Sequence, residues 1–133
     1  MGRIAVSLLL DTHAALWLVQ GDGRLGDTAR KRIERAPQSD LLISNLLLLE
    51  LAMLMKKGRV AVKTRPAGFL DRLARRFEVV PLSSMIALRA MDLPLPHGDP
   101  FDRVFVATAI ELRAELVTRD AAIRESGLIP VVW

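Results

Sequence analysis

Cysteine is absent from the chain, which excludes disulfides, thiolate zinc sites and thiol nucleophiles and suits a reducing cytoplasm. With only two histidines present, any metal must be held by oxygen or by that pair. No apolar run reaches the roughly 20 residues that a bilayer-spanning helix needs. The strongest candidate, residues 41–55, also carries Glu50 in its interior. A signal peptide is not expected, because Asp11 and His13 cut the first apolar run early and no small-residue cleavage site follows. Repeats, low-complexity tracts and linkers are missing and Pro plus Gly is ordinary, so disorder is not expected.

What the 133 residues do contain suffices for one core: 51% are hydrophobic and 26% charged. That predicts a single domain over 1–133, in the cytoplasm and without a membrane anchor. A formal charge of +4 and a pI of about 10.3 point toward an anionic partner, nucleic acid first.

The apolar run RIAVSLLL predicts a strand buried on both faces, ending at Asp11. THAALWLVQ predicts a short helix, broken by GDG. DTARKRIERA predicts a second helix; Leu25 just ahead of it and Ala29, Ile33 and Ala36 within it keep a period near 3.6, and Pro37 closes it. Residues 40–43 form the second strand candidate. Ser44 or Asn45 then caps the apolar helix that holds Glu50, and that helix ends at KKGR with Lys56 and Lys57 in its last turn. Residues 66–77 predict an amphipathic helix, EVVPL a strand and SSMIALRAM a helix, after which the Pro-rich LPLPHGDP leads into the helical FDRVFVATAIELRA. ELVTRD and LIPVVW supply two more strands around a brief helix. Strands alternating with helices predict an α/β fold with a parallel sheet.

The acids fall at informative places. Asp11 follows the first strand and Asp120 follows LVT by one residue, so both sit at carboxyl ends of strands, where parallel sheets bind ligands. Asp99 and Asp102 flank Pro100 and Phe101 at a helix start. Glu50 lies mid-helix on a face shared with Leu46, Leu47, Met53 and Leu54, where a carboxylate needs a partner. Structural roles compete: Asp11, Asp99 and Asp120 can cap helices, Asp102 can favour a first turn, and Glu50 can pair with a distant Arg. Four carboxylates converging at one sheet edge would repel one another unless a cation compensates, and an oxygen-only donor set suits Mg²⁺ or Mn²⁺.

Four segments in this order and spacing, LLLDTHAALW, ISNLLLLELAMLMKKGRV, HGDPFDRVFVATAIEL and ELVTRD, resemble the PIN-domain ribonucleases, in particular VapC-like toxins of bacterial toxin–antitoxin modules. The likeness covers nearly the whole chain. It implies a three-layer PIN-like α/β fold, with a central parallel sheet of four or five short strands flanked by helices. It also implies that Asp11, Glu50, Asp102 and Asp120 surround Mg²⁺ or Mn²⁺, that Thr12 and Thr118 help order the water shell, and that Asp99 is auxiliary. The implied activity is metal-dependent endonucleolytic hydrolysis of RNA, leaving a 5′-phosphate and a 3′-hydroxyl. The implied partners are a small antitoxin and a second copy in a homodimer. Leu47 departs from the pattern, standing where many relatives have Ser or Thr three residues before the glutamate.

Lys56, Lys57 and Arg59 are the first candidates for RNA phosphates, and Arg72, Arg75 and Arg76 the second. A solvated helix face competes with that role. His13 and His97 are read as surface histidines and Trp17 as core, while Leu16, Trp17, Leu49 and Met53 are divided between core packing and an antitoxin surface. Two other function classes compete. A phosphoacceptor regulator or noncatalytic binding module would use Asp11, but receiver-like proteins pair acids after the first strand and carry a late lysine, and both are missing here. A DNA-directed structure-specific nuclease would need clamping segments for which so short a chain has little room.

Overall fold

The computed structural model describes residues 6–96 and 98–133. Five strands, β1 (Leu8–Leu10), β2 (Leu41–Ser44), β3 (Glu78–Val80), β4 (Glu115–Val117) and β5 (Val131–Val132), alternate with seven α-helices among the described residues. These are α1 (Thr12–Gln20), α2 (Asp27–Arg35), α3 (Leu46–Lys56), α4 (Pro66–Arg75), α5 (Ser84–Asp92), α6 (Pro100–Leu112) and α7 (Ala121–Ser126). The strands form one sheet in the order β3-β2-β1-β4-β5, parallel throughout.

The central position of β1 explains its composition. Leu8, Leu9 and Leu10 are at most 1% exposed, as a strand covered on both faces requires. The chain runs outward through β2 and β3, then back across β1 to β4 and β5; crossovers of the right-handed kind that parallel strands favour place helices on both faces. On one side α1 packs on α3 and α4; α6 lies against β2 and β4 and pairs with α5. Leu47 and Leu51 of α3, Leu73 of α4 and Phe105 of α6 are each at most 1% exposed. Each such side chain contributes roughly 1.5–3 kcal/mol by leaving water.

The register aligns the carboxyl ends of the strands. Leu10 lies opposite Val117, and the ladder runs one bond further through the Asp11 N–H to the Val117 carbonyl, at 3.1 Å. Asn45 N–H donates to the Val80 carbonyl and Thr118 N–H to that of Val132, at 2.9 and 3.3 Å. Residues 11, 45 and 118 therefore emerge at one sheet edge.

Several boundaries differ from expectation. The described part of the first strand starts at Leu8, because Val6 is 48% exposed; residues 3–5 of the expected strand, and His97, lie outside the described residues. A 3-10 turn, Gln38–Asp40, precedes β2 and shifts that strand to 41–44. At the start of α3 the Ser44 hydroxyl accepts from Leu46 N–H at 3.2 Å, while Asn45 Oδ1 instead accepts from Leu82 N–H. Leu16 and Trp17 are core, 3% and 2% exposed, which removes them from the antitoxin surface; Leu49 and Met53 are exposed.

Candidate active site

Three aspartates owe their position to capping. Asp11 accepts from Ala14 N–H at 2.9 Å and starts α1. Asp99 accepts from Phe101 N–H at 2.8 Å and starts α6, and Asp120 accepts from Ile123 N–H at 3.0 Å and starts α7. Such bonds satisfy orphan helix amides. Asp102 sits in the first turn of α6, near the positive end of that helix. Glu50 projects from α3, three residues beyond the buried Leu47, and accepts a short hydrogen bond from the Thr12 hydroxyl.

All five acids line one open cleft of about 360 Å³, with Thr12, His13 and Thr118 beside them. The structural roles and the convergence therefore hold together for Asp11, Asp99 and Asp120. For Glu50 the expected alternative fails: among the described residues it pairs with no arginine, and its partner is Thr12. That hydroxyl supports Glu50 where Leu47 cannot.

Burial and mutual repulsion raise the pKa values of Asp11, Glu50 and Asp102. Asp11 is raised chiefly by desolvation, against the Thr118 and Ala14 hydrogen bonds that lower it. Glu50 is raised by desolvation, with Asp99 and Asp11 adding to the effect against Thr12. Asp102 is raised to about 7 by desolvation and by Asp99, Glu50, Asp11 and Asp120. A cluster that holds its protons so tightly is short of positive charge.

The donor set fits a hard divalent cation held partly through water. Among the described residues no three acidic or imidazole side chains converge closely enough to grip one ion directly. Mg²⁺ commonly takes only one or two carboxylates and keeps several waters, and the buried Thr12 and Thr118 hydroxyls offer bonds to such a shell.

The first basic group flanks the cleft. Lys57 lines a shallow recess that shares Glu50 and Asp99 with it, and Arg59 lines another that shares His13. Lys56, Lys57 and Arg59 are all exposed, as are Arg72, Arg75 and Arg76. Two cleft residues were missed by the sequence reading, Arg119 and Trp133. Arg119 could have been found, since it stands between Thr118 and Asp120. Nothing in the sequence marks Trp133, whose indole meets that of Trp17 edge-on, with centroids 6.0 Å apart.

The PIN domain family profile matches residues 8–127. The chain belongs to the PIN domain family. Ribonuclease VapC22 of Mycobacterium tuberculosis is 34% identical over 119 residues, covering 89% of this chain and 90% of the relative. PIN folds from toxin–antitoxin systems superpose over nearly the full length. VapBC2 from Rickettsia felis, solved bound to a promoter DNA fragment, gives a TM-score of 0.71 at 19% identity, covering 96% of this chain and 98% of that one. Mycobacterium tuberculosis VapC20, described as a sarcin-ricin loop cleaving toxin, gives 0.64 at 22%, covering 91% and 95%. The PIN-like sheet and flanking helices expected from the resemblance are thus borne out.

Proposed function

We propose that this PIN-domain protein is a Mg²⁺- or Mn²⁺-dependent endoribonuclease and the toxin of a toxin–antitoxin pair, with Asp11, Glu50, Asp102 and Asp120 as its catalytic acids. The observation that carries the reading is the gathering of these acids from four separate elements into one cleft, with no Lys or Arg ion-paired to Asp11, Glu50 or Asp102 among the described residues. The 34% identity to a ribonuclease supports it. A cytoplasmic setting belongs to the same reading, in keeping with the missing cysteines; among the described residues no helix is long and apolar enough to cross a membrane.

Asp11, Glu50 and Asp102 would hold the ion, directly or through water, and Asp120 would complete the shell. When bound, the ion lowers the pKa of its water and neutralises charge that develops on the leaving oxygen. The protein's own part is orientation. Thr12 fixes the Glu50 carboxylate, Thr118 bonds to that of Asp11, and capping amides hold Asp11 and Asp120 just beyond the strand ends and Asp99 at the start of α6. Products would carry a 5′-phosphate and a 3′-hydroxyl.

The partners follow from exposed apolar surface. Leu49 and Met53 stand exposed on the helix of Glu50, and a recess formed by Met53, Leu54, Pro100 and Phe101 reaches the acids, which suits an antitoxin that covers the site. On α5 Met85, Leu88 and Met91, each more than 60% exposed, form an apolar row suited to a homodimer.

The test is cleavage of RNA by purified protein with and without EDTA, comparing wild type with Asp11→Asn and Glu50→Gln. Loss of cleavage in EDTA and in both variants supports the site; undiminished cleavage in both variants would exclude it.

A further inference from the structure

Trp17 is buried, yet two guanidinium groups rest against its ring, Arg24 with Cζ 4.7 Å from the centroid and Arg119 at 4.6 Å. Arg119 stands in the wall of the acidic cleft. Arg24 stands in a second recess, of about 280 Å³, that joins the cleft at His13 and is also lined by Arg59. Arg24 is fixed again by Asp22, with Nη2 to Oδ2 at 2.8 Å and Nε to Oδ1 at 3.1 Å. Arg59 has no ion pair among the described residues. The Gln20 amide donates to the Ala61 carbonyl at 3.4 Å and ties α1 to the loop that carries Arg59 and Val60. A guanidinium stacked on an aromatic ring keeps N–H groups for a phosphate and loses little freedom in binding one.

We infer that this recess is a phosphate subsite for the RNA strand next to the scissile bond, with Arg59 and Arg24 as its cations, Arg119 continuing them into the cleft, Trp17 as the positioning residue of Arg24 and Arg119, and the exposed imidazole of His13 as a stacking surface. The inference rests on the nuclease reading and names where the substrate runs. Its cations lead away from a cleft that repels anions unless a divalent cation fills it, so a ligand with charge repeated along its length uses both places. An RNA strand does so, and its unstacked bases have a flat face to offer His13. An acidic peptide would satisfy the arginines and gain nothing from the acids.

The experiment measures binding of a short fluorescent single-stranded RNA in Mg²⁺ by anisotropy across a salt series, on Asp11→Asn protein so that turnover does not interfere. Adding Arg24→Ala and Arg59→Ala together should weaken binding by about tenfold and flatten the salt slope by ~0.7 per lost phosphate contact. Arg24→Lys with Arg59→Lys should keep the slope, which separates lost charge from lost folding. An unchanged affinity and slope in the double alanine protein would overturn the subsite, as would no RNA binding by the parent, or equal binding of a polyglutamate peptide. Cleavage by protein with Asp11 intact is scored separately, so the nuclease can stand while the subsite falls.

Discussion

The hydroxyl of Thr12 reaches across 38 residues of sequence to donate to the carboxylate of Glu50. Both partners sit where their elements point into the cleft, one in the first turn of α1 and the other on α3. Thr12→Val keeps the shape and removes the donor. Loss of a hydrogen bond to a charged group should cost about 1.5–3 kcal/mol of stability, and loss of a group that orients a metal ligand about tenfold in cleavage. Thermal melts and kcat measurements check both, and Thr12→Ser should restore most of each. Wild-type cleavage in the Val variant would remove Thr12 from the site.

Asp102 gives the metal-free protein an inverted pH dependence. Its carboxyl is raised from 3.8 to about 7 in the fold, so between those values the folded state binds more protons than the unfolded one. Stability from this group is therefore greatest below the unfolded pKa and falls as pH rises toward 7. In EDTA, Asp102→Asn should raise stability at pH 8 by on the order of 1–2 kcal/mol, the full shift being discounted for the solvated mouth of the cleft. It should change little at acid pH. Melts at both pH values test this, and a stability loss at pH 8 would contradict it.

If the cleft holds a divalent cation as proposed, cation and proton compete for the same oxygens. Mg²⁺ or Mn²⁺ should raise the melting temperature more at pH 8 than at pH 5.5, because binding to the native state alone stabilises it by mass action. Asp11→Asn and Glu50→Gln should each shrink that rise and lower cleavage by ~100-fold or more. An equal rise in the variants and wild type would point to another ion site.

Gly26 is needed for its missing side chain. A Cβ there would come within 2.4 Å of the Trp133 backbone carbon and 2.8 Å of its ring, although the backbone, at φ −60°, is ordinary. Gly26→Ala should destabilise by about 1–3 kcal/mol through overpacking and disturb the wall of the cleft. Gly23→Ala, with nothing within 4 Å, is the matched control. Tryptophan fluorescence and cleavage should change in the first variant only.

The α5 row is tested by Leu88→Glu, at a site 66% exposed. Light scattering should find a monomer that keeps its melting temperature. A wild-type protein that is already monomeric would move the dimer contact elsewhere or remove it.

Legibility in the sequence followed how local each cause was. Leu8–Leu10 could be read because a strand covered on both faces is apolar without period, Asp11 because it ends that run, and Asp120 because it follows LVT by one residue. The apolar helices were harder. Hydrophobicity cannot tell Trp17, under the loops of the cleft, from Met53, turned outward because Leu47 and Leu51 take the core face of α3. The Arg24–Trp17–Arg119 stack and the place of Trp133 arise only when β4, β5 and α1 meet. No local pattern encodes that meeting.

Asp11, Asp99 and Asp120 each close the first turn of the helix that follows. On the nuclease reading the same side chains would serve folding and chemistry. An alanine at these positions would fray a helix and disarm the cleft at once, whereas asparagine keeps an acceptor for the amide and removes only the charge. The helix starts also act as a standing partial counter-charge. The amides that steady Asp11, Asp99 and Asp120 belong to the chain itself and never dissociate, so on the nuclease reading the cleft would keep its shape between one ion and the next.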